Sequence, residues 1–364
     1  MQKKLYLILY ALIINLIISY PLLSGSPGTV SALLMVADIA ARPSSLGGAI
    51  GALGDDINAI KYNPAGLCGI NQYEFQFSHF ASFEDINYES IMFGIPLLKY
   101  NSAVGISLDF LNYGDFEKRD IYGVDKGTFS ADDMLLTFGY SRRLKNEIKI
   151  GGNIKYFSSK IEIEKADAMA IDVGTLYDVA DNITLGLAFQ NFGGKLKYIN
   201  EEEDLPLNFK LSTKYSPKRF KNPPQMLFDI NIPKGQKPNF NIGMEFWINE
   251  AISVRGGYKD KVDEGRFIGG VGFRSTVFQL DYAYMWADEL DVSHRISALF
   301  RFGGDKNRNE YLKSKNKVLR KRPIRAGEYD FNSIESERNR RTIKFDDSEL
   351  SDEVIFLTPM GTIK

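Results

Sequence analysis

Four carboxylates share one phase of alternating segments: Asp172, Asp229, Glu245 and Asp281. Lys149, Lys155, Lys210 and Arg274 sit on matching phases nearby. Paired carboxylates suit general acid–base hydrolysis. The same set also suits a polar interior in which charges pair off, and that reading asks for no catalysis. The two histidines, His79 and His294, lie in opposite parts of the chain and could meet across the closing seam of a barrel, but no cysteine or acidic cluster stands beside them, so no metal site is expected. Cys68 is the only cysteine, which excludes an intramolecular disulfide and a multi-cysteine metal site. No Gly-x-Ser-x-Gly elbow is present. Gly47–Gly54 lacks the G-x-G-x-x-G spacing of a dinucleotide loop, and Arg42-Pro43 precedes it instead of a strand. These residues give no reason to expect an enzyme or a cofactor. A net charge of -1 gives no nucleic-acid signal either.

What positions those charges is a run of short segments with period two. Tyr73, Phe75 and Phe77 alternate with Glu74 and Gln76. Val104, Ile106, Leu108 and Phe110 alternate with Gly105, Ser107 and Asp109. Ile148, Ile150, Ile154 and Tyr156 alternate with Lys149, Gly151, Asn153 and Lys155. Successive strand side chains point to opposite faces, so one face is apolar and the other small or polar. About fourteen such segments run from Gln72 to Phe302, an even number, as a closed antiparallel barrel requires. Connections on one rim are mostly tight, such as Leu97–Asn101 and Ala180–Asn182; the other rim carries longer ones, such as Asn112–Ser130, Ser158–Asp167 and Asn191–Asp204. That sorting belongs to outer-membrane barrels. A mean hydropathy of -0.21 fits a barrel with a polar lumen, because the average conceals the alternation.

The expected architecture is therefore all-β: a transmembrane antiparallel up-and-down barrel of about fourteen strands, with a small helical hatch inside. Residues 1–32 read as a signal peptide. Lys3 and Lys4 precede the apolar run Leu5–Leu23, and Val30-Ser31-Ala32 offers a cleavage site. Residues 33–70 form the hatch, 71–303 the barrel, and 304–364 a charged tail whose composition favours disorder. That tail reads as a solvated extension, or as a periplasmic arm whose Val354–Leu357 could add to another sheet.

In the hatch, Leu33–Ala40 reads as a short helix stopped at Arg42-Pro43. Asp55 or Asp56 is a suitable N-cap for a helix over Ile57–Tyr62. Pro64 ends that helix at Asn63, whose side chain can then hydrogen-bond the turning backbone, and Gly66 is free to take a positive φ.

The stretch Arg42-Pro43-Ser44-Ser45-Leu46-Gly47-Gly48-Ala49, then Asp55-Asp56, then Tyr62-Asn63-Pro64-Ala65-Gly66-Leu67 resembles the hatch of FadL-like and PorV-like outer-membrane barrels. Ala170–Tyr177, Gly186–Gly193 and the hairpin around Asp281–Tyr284 and His294–Ser297 are similar to later strands of those proteins. The resemblance spans roughly Ala37 to Gly303. It implies a cell outer-membrane location, with Asn63, Pro64 and Ala65 as hatch elements. The FadL branch implies a hatch-gated conduit for hydrophobic, fatty-acid-like molecules that leave sideways through the wall. The PorV branch implies a scaffold or shuttle with a secretion-system or periplasmic protein partner. Asp55, Asp56, Asn63, Pro64, Ala65 and Gly66 are the candidate gating residues. The chain departs from the pattern after Gly303, because the last strand is followed by the tail.

Overall fold

The computed structural model describes residues 32–82, 86–145, 147–198, 201–220, 222–260, 267–286 and 293–303. The expected signal peptide, except Ala32, and the expected tail lie outside those residues. Sixteen strands follow in chain order. They are β1 (Tyr73–Ala81), β2 (Asn87–Leu97), β3 (Ser102–Arg119), β4 (Asp125–Arg143), β5 (Ile148–Ile161), β6 (Glu164–Ala180), β7 (Ile183–Gly193), β8 (Lys195–Tyr198), β9 (Glu201–Asp204), β10 (Asn208–Tyr215), β11 (Gln225–Pro233), β12 (Asn239–Trp247), β13 (Ile252–Lys259), β14 (Phe267–Arg274), β15 (Phe278–Trp286) and β16 (Ser293–Phe302). Fourteen of them close an antiparallel barrel, and β8 and β9 form a separate two-stranded hairpin. Two short helices precede the strands, α1 (Ala41–Ser45) and α2 (Ala59–Tyr62).

The alternation in the sequence becomes the two faces of the wall. Phe77, Ile91, Phe138, Ile154, Val173, Ile242, Val271 and Ile296 are exposed on the outer face. Gln76, Ser107, Asp109, Asn153, Asp172, Glu245 and Arg255 are buried inside. An apolar band of that extent is incompatible with water and matches the hydrocarbon of a bilayer. Closure leaves no strand edge unpaired, the condition for a sheet in lipid. At the seam β1 pairs with β16 from Tyr73↔Phe302 to Ala81↔His294. The rings of Tyr73 and Phe302 stack there at 5.7 Å.

Two expectations about connections change. The segment around Asn112–Ser130 is a hairpin extension of β3 and β4, not a loop. Ser158–Asp167 likewise belongs to β5 and β6 across a tight turn. Both hairpins exceed the roughly ten residues a strand needs to span a bilayer, so they project beyond the long-connection rim. Between β6 and β7 the register slips between Ile171 and Val173, at an Asn191 with φ of 61°. Asp172 holds this bulge. Its carboxylate accepts from the Asn191 N–H at 2.8 Å and pairs with Lys155 at 2.8 Å.

Candidate functional site: the hatch and its seat

The hatch runs through the lumen from the long-connection end at Ala32 to the short-turn rim at Ile70. Leu33–Met35 form a single 3-10 turn. The helix expected over Leu33–Ala40 is absent, and Arg42-Pro43 opens a helix instead of closing one. The first turn of a helix has no internal partner for its N–H groups, so a proline at the third position loses nothing. Gly47 and Gly48, at φ of 63° and 71°, end α1: Gly48 N donates to Pro43 O at 2.9 Å and Gly47 N to Ser44 O at 2.8 Å. That is the double bond of a Schellman cap, which requires a residue without a Cβ penalty. The glycine run is thus a helix stop and a close-packing surface.

α2 begins two residues later than expected. Its N-cap is Asn58, which makes no side-chain cap. Asp56 Oδ1 accepts from the Asn58 N–H at 2.9 Å. The other carboxylate oxygen of Asp56, and both of Asp55, turn to Arg42. The expected capping role of Asp55 and Asp56 is therefore corrected: their charges are claimed by a stronger partner. Asn63 behaves as expected, its Oδ1 accepting from Ala65 N at 3.2 Å to open the 3-10 turn Pro64–Gly69. Gly66 does not take a positive φ. A side chain there would strike Ala59 Cβ at 2.7 Å and Gly54 Cα at 3.0 Å, so close packing inside the hatch selects it.

Arg42 is the functional residue that the sequence reading did not single out. Its guanidinium meets Glu245 of β12 through Nε at 3.0 Å and Nη2 at 2.9 Å. It meets both oxygens of Asp55 at 2.8 Å and also bonds Asp56. Glu245 passes the network on to Arg255 at 2.7 Å, and Arg255 to Asp281 at 2.7 Å. The planar five-donor fork of arginine fits such bidentate carboxylate pairing. Burial opposes the charge on Arg42, but Asp55, Glu245 and Asp56 outweigh it and raise its pKa. Burial likewise opposes the Asp55 carboxylate, and Arg42 holds it below the usual range. One sequence signal could have found Arg42. It is the only charged side chain between Asp38 and Asp55, in a stretch of small and apolar residues.

Further ties fix the hatch along its length. Asn58 and Gln76 exchange amide hydrogen bonds at 2.9 and 2.8 Å. Ile57 N donates to Glu74 at 2.8 Å, and Gly51 N to Asp229 at 3.0 Å. Near the long-connection end, Asp38 pairs with Lys259 at 2.6 Å and accepts from the Tyr62 hydroxyl. Burial alone would push the Asp38 carboxyl up, yet Lys259 and Tyr62 bring it down from 3.8 to about 2. Leu34, Met35 and Ile39 pack among Phe80, Leu111, Leu135 and Phe157.

Asn63, Pro64 and Ala65 meet a different wall. A Cβ on Gly151 would lie 2.5 Å from the Pro64 carbonyl carbon, and one on Gly174 would lie 2.0 Å from Asn63 Oδ1. Asn63 Nδ2 donates to the carbonyls of Gly51 at 2.9 Å, Thr175 at 3.2 Å and Leu187 at 3.3 Å. Opposite that contact, the outer face of β4–β7 and β10 holds a groove of about 470 Å³. Tyr140, Ile150, Val173, Phe189 and Phe209 wall it, and Gly151, Gly152, Gly174 and Ala188 floor it. The ladder here is unbroken, with Gly151 opposite Gly174 and Gly174 opposite Ala188.

The other expected chemistry resolves into structure. The four lumen carboxylates are all buried in ion pairs or hydrogen bonds with hatch or wall. His79 faces Glu89 at 3.8 Å and His294 bonds the Tyr282 hydroxyl, so the histidines have separate neighbours. Among the described residues, no group of three or more His, Cys, Asp or Glu could hold a metal ion. Cys68 is half-buried, and its thiol donates to the Ala65 carbonyl at 3.3 Å.

No protein-family model matches the sequence, and no curated protein matches it either. Solved structures do resemble the fold. The Ralstonia pickettii toluene transporter TbuX superposes with a TM-score of 0.54 at 13% identity, over 72% of this chain and 98% of that one. The Pseudomonas putida toluene transporter TodX gives 0.54 at 12% identity, over 77% and 98%. A Pseudomonas aeruginosa FadL homologue gives 0.51 at 11% identity, over 73% and 98%. At those identities the likeness is one of fold, and the chain has the fold of FadL-type outer-membrane barrels.

Proposed function

We propose that the protein is an outer-membrane conduit for small hydrophobic or amphiphilic molecules, with the hatch as its gate. The carrying observation is the seat of Asn63-Pro64-Ala65. Only one layer of glycine-rich backbone separates it from an apolar groove in the lipid-facing surface. A hatch that moves there can open a short route between lumen and bilayer, and an apolar molecule gains by taking it. The named substrates of the structural neighbours, toluene among them, support the reading by analogy of fold alone.

A hatch locked to the wall is the direct measurement. Asn63 Cγ, where the sulfur of a cysteine would lie, is 3.0 Å from the Cβ position of Gly174, so a disulfide can pin the seat itself. The variant Asn63→Cys/Gly174→Cys/Cys68→Ser, oxidised, should lose uptake of a small aromatic hydrocarbon into proteoliposomes and recover it on reduction. Uptake that ignores the redox state would remove the hatch from the route.

A scaffold for an exported protein is the second reading. One feature favours it: the β3–β4 hairpin ends in Ile121 and Tyr122, which are 91% and 84% exposed. Deleting that tip should abolish capture of a protein partner under the scaffold reading and leave uptake intact under the conduit reading.

A further inference from the structure

The groove on the outer face has a direction and a foot. Tyr140, Gly152, Val173, Phe189 and Phe209 are cross-strand neighbours in one row. The row crosses four interstrand spacings, about 19 Å in all. Gly152 is its low point: a Cβ there would meet only the Asp172 carbonyl oxygen, at 3.3 Å. The result is an apolar trough that runs across the strands and opens onto hydrocarbon.

We propose that this trough holds one acyl chain of an anionic phospholipid from the periplasmic leaflet, with the lipid phosphate seated on Arg142. A molecule leaving by the groove must displace that chain, but the proposal does not depend on the conduit reading.

The head-group end follows from what lies beside the row. Arg142 stands two residues beyond Tyr140 on the same outward phase, about 7 Å nearer the short-turn rim. Its cross-strand neighbour is Ile150, a wall of the groove. Short turns face the periplasm in outer-membrane barrels, so this end meets the periplasmic leaflet. The β2–β3 turn lies alongside, since Arg143 N donates to Asn101 O at 2.8 Å. That turn supplies Lys99, and the β4–β5 turn supplies Lys145. Lys99, Arg142 and Lys145 are all exposed, and among the described residues none of them is in an ion pair. Glu147 is the single carboxylate of these two turns, so the foot keeps a net positive charge. Other cations of the rim are already matched: Lys218 by Asp181 at 2.9 Å, Lys149 by Asp178 at 3.4 Å and Arg301 by Glu74 at 3.0 Å. Tyr100, 61% exposed in the β2–β3 turn, suits the head-group layer.

Charge and shape together select the ligand. A hydrocarbon fills the trough but leaves the cations unused. A zwitterionic lipid brings an ammonium group with its phosphate, and a net positive foot repels it. An anionic phosphodiester offers oxygens to the planar guanidinium fork and no cation. Its chain gains by covering the apolar trough.

The experiment is native mass spectrometry of the full-length barrel in an uncharged detergent. The probes are dioleoyl phosphatidylglycerol and dioleoyl phosphatidylcholine, which share their chains. The first phosphatidylglycerol should bind more tightly than the first phosphatidylcholine. Arg142→Gln should weaken it about fivefold, the worth of one cation beside a lipid surface, and leave phosphatidylcholine unchanged. Gly152→Leu should fill the trough and weaken the first binding of both lipids. Gly269→Leu, outward on β14, should not. Val173→Trp serves if Gly152→Leu misfolds, with heat-modifiable gel mobility reporting a closed barrel. Equal binding of the two lipids, a preference undiminished by Arg142→Gln, or binding indifferent to both trough-filling variants would each overturn the proposal; the last outcome means a basic rim without a chain site. The redox-locked uptake assay is read separately, so the conduit can stand while this proposal falls.

Discussion

The hatch touches the barrel wall in two contrasting ways. Against β12, β13 and β15 it is held by charge: Arg42 bridges Asp55, Asp56 and Glu245, and Arg255 carries the network to Asp281. Against β5, β6 and β7 it is held by shape, where Pro64 and Asn63 lie on Gly151 and Gly174. A buried ion network adds little net stability when intact, but it is very costly to break on one side. A shape contact has the opposite character. It tolerates small displacements of its polar groups but not added volume, because a packed interface has no spare room. Charge therefore makes the first contact an anchor, and glycine makes the second a close-packed seat with no room for a side chain.

The largest effect should come from the anchor. Arg42→Leu leaves Asp56 buried without its cation and Glu245 with Arg255 alone, and should cost on the order of 3–5 kcal/mol of hatch docking. Asp55, whose side chain is 42% exposed, adds less because water screens it. Limited proteolysis should then cut the hatch of a barrel that still shows heat-modifiable mobility, whereas wild type resists. If the hatch of that variant stays protected, the anchor is misassigned.

Next comes volume on the glycine side. Gly151→Val drives a side chain into the Pro64 and Ala65 backbone, which has no flexible end to yield, and should cost about 1–3 kcal/mol. Gly269→Val is the matched control, since nothing lies within 4 Å of its Cβ position. Hydrogen exchange at Asn63–Gly69 should quicken in the first variant alone. Equal exchange in both would show that the two sides of the wall do not differ.

Smaller still is Asn63→Ala. It removes the cap on Ala65 and the bonds to three carbonyls, a net loss of about 0.5–1.5 kcal/mol spread over local motions. Under the conduit proposal, uptake should rise modestly as the gate loosens while protection around Arg42 is unchanged.

The mildest prediction concerns pH. Asp38 has its carboxyl lowered from 3.8 to about 2, so the docked hatch favours the charged form. Its contribution is complete above about 4 and is lost as pH falls from 3.8 towards 2. Asp38→Asn should flatten the part of the acid-release curve of the Ala32–Ala40 segment that falls in this window. A curve with the same slope in variant and wild type would exclude Asp38 as the titrating tie.

Much of the barrel was legible because its two solvents differ so sharply. Lipid outside and a packed polar lumen inside impose period two on residues such as Ile148 through Tyr156, and any single strand displays the pattern. Connections were less legible. The β3–β4 and β5–β6 hairpins run past the membrane, where neither face is forced to be apolar, and the pattern fades although the ladder continues. In the hatch, Asn63 was readable because its cap is a local bond with Pro64 beside it. Asp55 and Asp56 were misread as caps because their partner, Arg42, precedes them by 13 and 14 residues and is brought back only by the fold. Arg42-Pro43 was misread as a stop because the same dipeptide fits the end of one helix or the first turn of the next.

The sequence by itself determined the alternating wall, its even strand number and the small-residue segment that must lie within it, since each follows from local periodicity and solvation. Tertiary structure alone decided which charges meet, which glycines back the hatch, and where the apolar groove lies behind it. Those pairings join residues as far apart as Arg42 and Glu245, and only the closure of the barrel sets the distance between them.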